Sequence, residues 1–359
     1  MKIAIDISQI IYDTGVSTYT KELVKNLLKI DNKNEYLLFG GSLRRLDELN
    51  SFTESLKGNF KTKFFPLPPS AADFLWNRIH FGNIENVIGK IDVIHFSDWA
   101  QPPTNAYSVT TIHDMSPILL PEETHPKIVA VHRRKLKWVI KEIDKVIVPS
   151  QSGKDDLHKL GVASEKIVVT PEACADRFEP ASENVIEKLK KKYGISGKYL
   201  IAVGNAPRKN IRRTIEAFQM AQPKIGIDNL VIIGRGDDPY LHSDRVIFTG
   251  HVPENEMPVF YSGAEALVYA SLYEGFGLPI LEAFACKCPV VVSDVSSLPE
   301  VAANAAVMVK PLSARSIADG IVEVLKDRTE WVKKGNRRLK DFSWEKTAQQ
   351  TLEIYENRN

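Results

Sequence analysis

The chain has 359 residues, 43% of them hydrophobic and 26% charged, which is the balance of a folded globular protein with room for two α/β domains. Lys and Arg number 47 against 45 Asp and Glu, and the resulting +2 argues against bulk nucleic-acid binding. Cys174, Cys286 and Cys288 lack the second cysteine pair of a zinc site and read as small buried residues in a reducing cytoplasm.

The N-terminus, MKIAIDISQI, is an apolar strand that starts at once, with no basic leader or cleavage site. No uncharged apolar run approaches the roughly 18 residues needed to cross a bilayer. The expected location is therefore cytoplasmic, with the inner face of the membrane as one option.

Residues Lys2–Ile7 read as a buried parallel-type strand and Val16–Leu28 as an amphipathic helix with a stripe of Val16, Tyr19, Leu23 and Leu27. The turn between them, Asp13 to Ser17, carries Gly15 alone. A single glycine is far from the Gly-x-Gly-x-x-Gly fingerprint, so a dinucleotide cofactor is not indicated. Strands follow at Glu35–Phe39, Lys61–Phe65, Asp92–Phe96, Tyr107–Ile112 and Lys145–Val148, mostly separated by helical patterns, as βαβ units require. The segment Phe65–Trp76 is proline-broken and rich in aromatics. It reads either as a lip for a lipid acceptor or membrane surface, or as a loop packed on its own domain. His113 and Asp114 follow a strand at its C-terminal end, where open α/β sheets bind ligands. The helix Pro126–Ile143 contains the basic run His132–Lys137, which suits anionic headgroups or a solvated face. Ser150 is placed to cap the next helix, and the strand Lys166–Thr170 closes this half.

The second half opens with a charged helix, Glu183–Tyr193, and a strand, Lys198–Gly204. The loop Asn205–Asn210 then enters the helix Ile211–Ala221. Arg208 and Lys209 at this strand-to-helix turn are placed to hold a diphosphate. Strands at Asn229–Gly234 and Arg245–Thr249 lead to the loop Gly250–Pro253. The strands Ala264–Tyr269 and Pro289–Val292 and the helix Ala314–Lys326 complete this unit. A final helix is capped by Ser343 and striped by Trp344, Thr347, Ala348, Thr351, Leu352 and Tyr355.

The densest chemistry lies in Ala270–Val301, ASLYEGFGLPILEAFACKCPVVVSDVSSLPEV. A strand gives way to a Gly-bearing loop, and Pro279 suits the first position of the helix after it. Amides around Gly277, Leu278, Ile280 and Leu281 then face a phosphate at a helix N-terminus. Glu274 and Glu282 bracket that anion site. Carboxylates so placed serve hydroxyls, and hydroxyls on both sides of a phosphate describe a nucleotide sugar.

The Glu274-x7-Glu282 spacing, with PVVVSDVSSLPEV after it, resembles the donor-site motif of retaining glycosyltransferases of the GT-B fold, in particular glycosyltransferase family 4. The resemblance covers nearly the whole chain and is richest from Lys198 onward. It implies two Rossmann-like parallel-sheet domains facing a cleft. Residues 1–172 would form the acceptor-binding domain, completed by the crossover helix 343–359, and residues 173–342 the donor domain. It implies that Arg208 and Lys209 stabilise the departing diphosphate, Glu274 orients the hexose and Glu282 takes the ribose. Gly204, Gly275, Phe276, Gly277, Leu278, Pro279 and Ile280 would line the donor. His113 would stand near the donor sugar and acceptor, Gly15 and Val16 would touch donor phosphate or acceptor, and His251 and Val252 would edge the base. Retention by front-face attack needs no side-chain base. No Asp-x-Asp pair occurs in the chain, so neither a metal nor another cofactor is expected. Likeness in VSDVSSLPEV and TIHDMSPILLPE leans towards bacterial mannosyltransferases of surface polysaccharide assembly, with GDP-mannose as donor and a glycan or lipid-linked acceptor. Glucosyl, galactosyl or N-acetylhexosaminyl transfer from a UDP-sugar, a non-hydrolysing epimerase and a non-catalytic nucleotide-sugar-binding subunit stay as alternatives.

Overall fold

The structure is a computed structural model and describes residues 1–12, 14–236 and 243–358. Asp13, at the start of the first glycine turn, lies outside the described residues. The chain forms two compact units, Met1–Glu172 with Ser343–Asn359, and Ala173–Phe342.

The first unit is built on seven parallel strands: β1 Lys2–Asp6, β2 Glu35–Gly41, β3 Phe60–Phe65, β4 Val93–Phe96, β5 Tyr107–Thr111, β6 Lys145–Val148 and β7 Ile167–Val169. Their order is β3-β2-β1-β4-β5-β6-β7. Ile3 pairs with Tyr36 on one side and Val93 on the other, so β1 and β4 lie at the centre, where the chain reverses direction across the sheet. Central parallel strands are covered on both faces, which is why IAI, VIHF and VIV are nearly unbroken apolar runs and are buried. The helix Gly15–Ile30 is capped by Thr14, whose Oγ1 accepts from Ser17 N at 3.4 Å, and it buries Tyr19, Leu23 and Leu27.

The helix Trp344–Glu356 belongs to this unit although it ends the chain. Its expected stripe is its buried face. Thr347 Oγ1 donates to Pro171 O at 2.7 Å. Tyr355 OH shares a 2.5 Å hydrogen bond with His95 Nδ1 on β4, whose Nε2 meets Thr111 Oγ1 at 2.8 Å. Burial pushes the His95 pKa down to about 3, so the ring is neutral and both nitrogens are used.

The second unit has six parallel strands: β8 Tyr199–Val203, β9 Asn229–Ile233, β10 Val246–Phe248, β11 Ala266–Tyr269, β12 Val290–Ser293 and β13 Val307–Val309. Their order is β10-β9-β8-β11-β12-β13, so this sheet reverses between β8 and β11.

The structure corrects several expectations. Most strands end a residue or two inside the apolar runs, because ladder pairing stops before the run does. Phe65–Trp76 is not simply a broken loop: Pro69–Ala72 starts a helical turn that continues as a π-helix, Asp73–Ile79. Its inner residues Asp73, Trp76 and Asn77 are buried, while Phe74, Arg78 and Ile79 are exposed. The basic run on the helix Pro126–Glu142 is not one solvated face either. Lys135 is 2% exposed, and Arg134 pairs with Asp73 at 2.5 Å. The helix Arg328–Leu339, absent from the sequence reading, had a local signal in Asp327 and Glu330. The Asp327 side chain caps it by accepting from Glu330 N at 3.0 Å. Its Gly335 lies so close to Phe284 that a Cβ would meet the ring at 2.6 Å.

Tyr355→Phe should remove the hydroxyl partner of a buried, neutral His95 and lower the stability of the chain by about 1–3 kcal/mol. Urea unfolding followed by circular dichroism measures it; an unchanged midpoint would show that the hydrogen bond contributes nothing.

Candidate active site

At the switch point of the second unit, loops from β8 and β11 meet. Gly204 follows β8 with φ of 85°, a conformation that favours glycine. A Cβ there would come within 3.1 Å of the Lys209 stem, so the missing side chain is what lets Lys209 lie across the strand end. Pro207–Lys209 make one 3₁₀ turn, closed by Asn210 at φ 57°. Buried Asn210 donates through Nδ2 to Ala270 O (3.0 Å) and Pro311 O (2.7 Å), and Leu272 N donates to Arg208 O (2.7 Å). The basic turn is thereby fastened to the loop after β11.

Glu274 stands in that loop, 7% exposed. Its Oε2 accepts from Arg208 at 2.8 Å and its Oε1 from Lys209 at 2.6 Å. Lys209 also donates to Tyr269 OH at 2.9 Å. Burial alone would raise the Glu274 pKa, but the Lys209 ammonium and the Arg208 guanidinium outweigh it and hold the carboxyl below its usual range. The loop backbone is pinned from a distance. Glu274 N donates to Ser296 Oγ (3.1 Å), and the hydroxyl of buried Ser297 reaches Glu274 O (2.9 Å) and Phe276 O (2.8 Å). Ser296 and Ser297 are the SS of the SSLPEV tail, and the sequence reading assigned them nothing.

The helix after the loop spans Leu278–Ala285, so Pro279 takes its second position rather than its first. Gly277, at φ 114°, is its N-cap, and a Cβ there would lie 2.9 Å from Leu298. One of the expected amides is already satisfied within the chain. Ile280 N already donates to Gly277 O at 3.0 Å and its side chain is fully buried. Phe276 and Val252 put their side chains into the core and keep only backbone groups for a ligand. Gly275 lies in the loop itself, and Leu278 and Pro279 open the helix. His251 is exposed after β10, the edge strand of this sheet, and among the described residues makes no hydrogen bond. Glu282 is half-buried: Tyr261 OH donates to its Oε2 at 2.8 Å, and burial pushes its pKa up to about 7.

In the first unit, His113 follows β5 and its Nδ1 meets Glu172 Oε1 at 2.7 Å. Its ring lies edge-on to Tyr19, centroids 4.4 Å apart. Glu172 orients the imidazole, and no sequence signal joined the two. Asp114 Oδ1 accepts from Ser116 N at 2.6 Å. Gly15 is the first residue of its helix, and Val16 shares a pocket with His113, Asp6 and Asp98.

Two family profiles cover these units. Glycosyltransferase Family 4 matches residues 14–175, and Glycosyl transferases group 1 matches residues 185–341. O-antigen chain mannosyltransferase B of Escherichia coli is 30% identical over 367 aligned residues, spanning 95% of this chain and 96% of that one. The chain belongs to glycosyltransferase family 4. It is a glycosyltransferase with the GT-B architecture of two Rossmann-like parallel-sheet domains. Another relative, O-antigen chain mannosyltransferase RfbU of Salmonella typhimurium, is 34% identical over 60% of each chain. Solved structures share the fold. Sucrose-phosphate synthase from Thermosynechococcus elongatus aligns at TM-score 0.73 and 21% identity over 99% of this chain and 98% of its own. Anabaena HepE, in complex with UDP and glucose, aligns at TM-score 0.70 and 17% identity over 99% of each. Among the described residues, no helix is long and apolar enough to cross a membrane.

The Glu282 environment predicts a pH effect of defined sign. Its folded pKa, about 7, lies above the unfolded 4.5, so the folded state binds the extra proton between them and stability falls as pH rises through that window. Glu282→Gln keeps an acceptor for Tyr261 and removes the charge. The variant should gain on wild type by up to roughly 3 kcal/mol between pH 4.5 and 8, read from unfolding midpoints; parallel pH profiles would refute the assignment.

Proposed function

We propose that this glycosyltransferase moves a mannosyl group from GDP-mannose to a glycan or lipid-linked acceptor, with retention and without a metal ion. The observation that carries the reading is the Arg208–Lys209–Glu274 cluster beside the N-terminus of the helix Leu278–Ala285, at the switch point of the second sheet. A relative that matches end to end is named a mannosyltransferase, which supports the choice of sugar.

Loss of the diphosphate concentrates negative charge on phosphate oxygens. Arg208 and Lys209, held in place before the donor arrives, meet that charge without reorganising, and the amides of Gly277 and Leu278 add the helix dipole. These groups supply the stabilisation a metal would otherwise give. Glu274, an acceptor-only carboxylate beside these cations, accepts a hexose hydroxyl. Glu282 accepts from the ribose when ionised. The anomeric carbon–diphosphate bond breaks, the acceptor oxygen attacks from the same face, and its proton passes to the departing phosphate oxygen. His113, oriented by Glu172, supports the sugar at the acceptor side.

Peripheral membrane contact is part of the same reading. Phe74, Ile79 and Phe81 (70% exposed) stand out from the π-helix and the turn after it. The His80 ring stacks on Trp138 at 3.5 Å, and Lys137 and Lys141 lie over that indole. Exposed aromatics beside cations suit an anionic bilayer, although Glu142 pairs with His80 and Lys141 there.

Four measurements test these proposals. In thermal-shift titrations with GDP, UDP and ADP, GDP at 100 times its Kd should add about 2.7 kcal/mol, unchanged by EDTA. Arg208→Ala or Lys209→Ala should lower kcat about 100-fold or more, and NMR of the product should show the donor's anomeric configuration. A shift with UDP alone would transfer the reading to a UDP-sugar; no shift with any nucleotide would sink the donor site. In cosedimentation, vesicles containing phosphatidylglycerol should retain the wild type, and Phe74→Ser with Phe81→Ser should release it. Equal recovery with neutral vesicles would remove the electrostatic part of the membrane proposal.

A further inference from the structure

The seven-stranded sheet has its own switch point, between β1 and β4, and doubly wound sheets bind ligands outside the carboxyl ends of such strands. Two pockets open there. Asp6, ending β1, and Ser97, just past β4, line both. One is the pocket of Val16 and His113. The other has aromatic walls, Tyr12, Phe39, Phe65, Trp76 and Trp99.

We propose that this second pocket is a saccharide subsite that takes one neutral pyranose ring of the acceptor. The ring's C–H face would lie on the aromatic walls and its hydroxyls on Asp6 and Gln9. The inference rests on the glycan-acceptor reading above and assigns it a place.

The polar rim is built for hydroxyls. Asp6 Oδ1 accepts from Ser8 N (2.9 Å) and Ser8 Oγ (2.5 Å), which orients the carboxylate. Among the described residues Oδ2 has no protein donor, and neither does the Gln9 side chain. An oriented carboxylate beside an amide offers both acceptors and donors, which a pair of sugar hydroxyls can satisfy at once.

The walls are fixed in advance. Trp99 Nε1 donates to Pro69 O at 3.4 Å, and Trp99 O accepts from buried Asn77 at 3.0 Å. Asn77 Oδ1 in turn accepts from Gln101 N at 3.0 Å. Buried Lys135 donates to Ser97 O (2.7 Å) and Thr110 Oγ1 (2.9 Å), tying the end of β4 to β5. A shape held this way costs a ligand little ordering on binding.

Charge narrows the ligand class. Among the described lining residues there is no Lys, Arg or His, and the one charge is the Asp6 carboxylate. A phosphate or diphosphate would be repelled, and a hydrocarbon tail would leave Asp6 and Gln9 buried without partners. A neutral ring with an apolar face and a hydroxyl edge satisfies walls and rim together.

Saturation-transfer NMR on the full chain tests this with methyl α-mannopyranoside, methyl β-glucopyranoside, methyl β-galactopyranoside and methyl N-acetyl-β-glucosaminide, and with inorganic pyrophosphate as competitor. At least one pyranoside should bind, and Trp99→Ala and Gln9→Ala should each weaken it, Asp6→Asn by roughly tenfold or more. Gln9 is partly exposed and carries no internal hydrogen bond, so its variant should keep the wild-type melting curve. The signal should persist in Arg208→Ala and with saturating GDP or UDP. The proposal is overturned if no pyranoside binds, if binding survives both Trp99→Ala and Gln9→Ala, or if pyrophosphate or nucleotide displaces the sugar. Failure of the donor reading shows separately, as absent nucleotide shifts in the wild type.

Discussion

A carboxylate as enclosed as Glu274 stays ionised only if cations stand against it, and Arg208 and Lys209 do so, one on each oxygen. Much of the second unit's switch point is arranged to keep that meeting in place. Gly204 makes room for the lysine stem, Asn210 ties the basic turn to the loop after β11, and Ser296 and Ser297 hold the loop backbone. Breaking such a buried pair by removing one partner leaves an uncompensated charge, which is far costlier than any surface ion pair. The cluster carries one more positive than negative charge, and that surplus beside a helix N-terminus is what a diphosphate can use.

The first unit follows the same physical logic with different groups. His113 is oriented by Glu172, and His95 is kept neutral by burial and tied to Tyr355 on the last helix. Lys135 is also buried, with its pKa lowered to about 8 by desolvation, and its ammonium is satisfied by a carbonyl and a hydroxyl at the strand ends. Buried polar groups are costly unless partnered, and here the partners come from strand ends, from Glu172 and from the last helix. The rigidity of the sheet edge therefore comes from polar contacts at its carboxyl ends as well as from the apolar strands behind them.

Both sheets use one topological device. In each, the chain runs outward on one side of a central strand and then returns to build the other, and the loops at the reversal diverge to leave a crevice. What differs is the chemistry placed there. The six-stranded sheet presents cations around a carboxylate, suited to a diphosphate between hydroxyl-bearing groups. The seven-stranded sheet presents a carboxylate, an amide and aromatic walls, suited to a neutral polyol.

The amino-acid order by itself determined the class of fold and pointed to the candidate site. Parallel strands buried on both faces must be apolar almost throughout, so their runs stand out locally. Caps such as Ser150 and Ser343, and the stripe of the last helix, repeat within a few residues and could be read directly. Arg208, Lys209, Glu274 and Glu282 could be singled out because strand, turn and helix place them at ends where ligands bind. Only the tertiary structure decided which groups meet. It paired His113 with Glu172 across 59 residues of chain, and His95 with Tyr355 across 260. It drew Lys135 out of an apparently solvated basic run and tied up the Ile280 amide inside the helix start. Periodicity and propensity are short-range properties of the chain, whereas a buried hydrogen bond or ion pair depends on where distant segments converge, and nothing in the local pattern of either partner records the other.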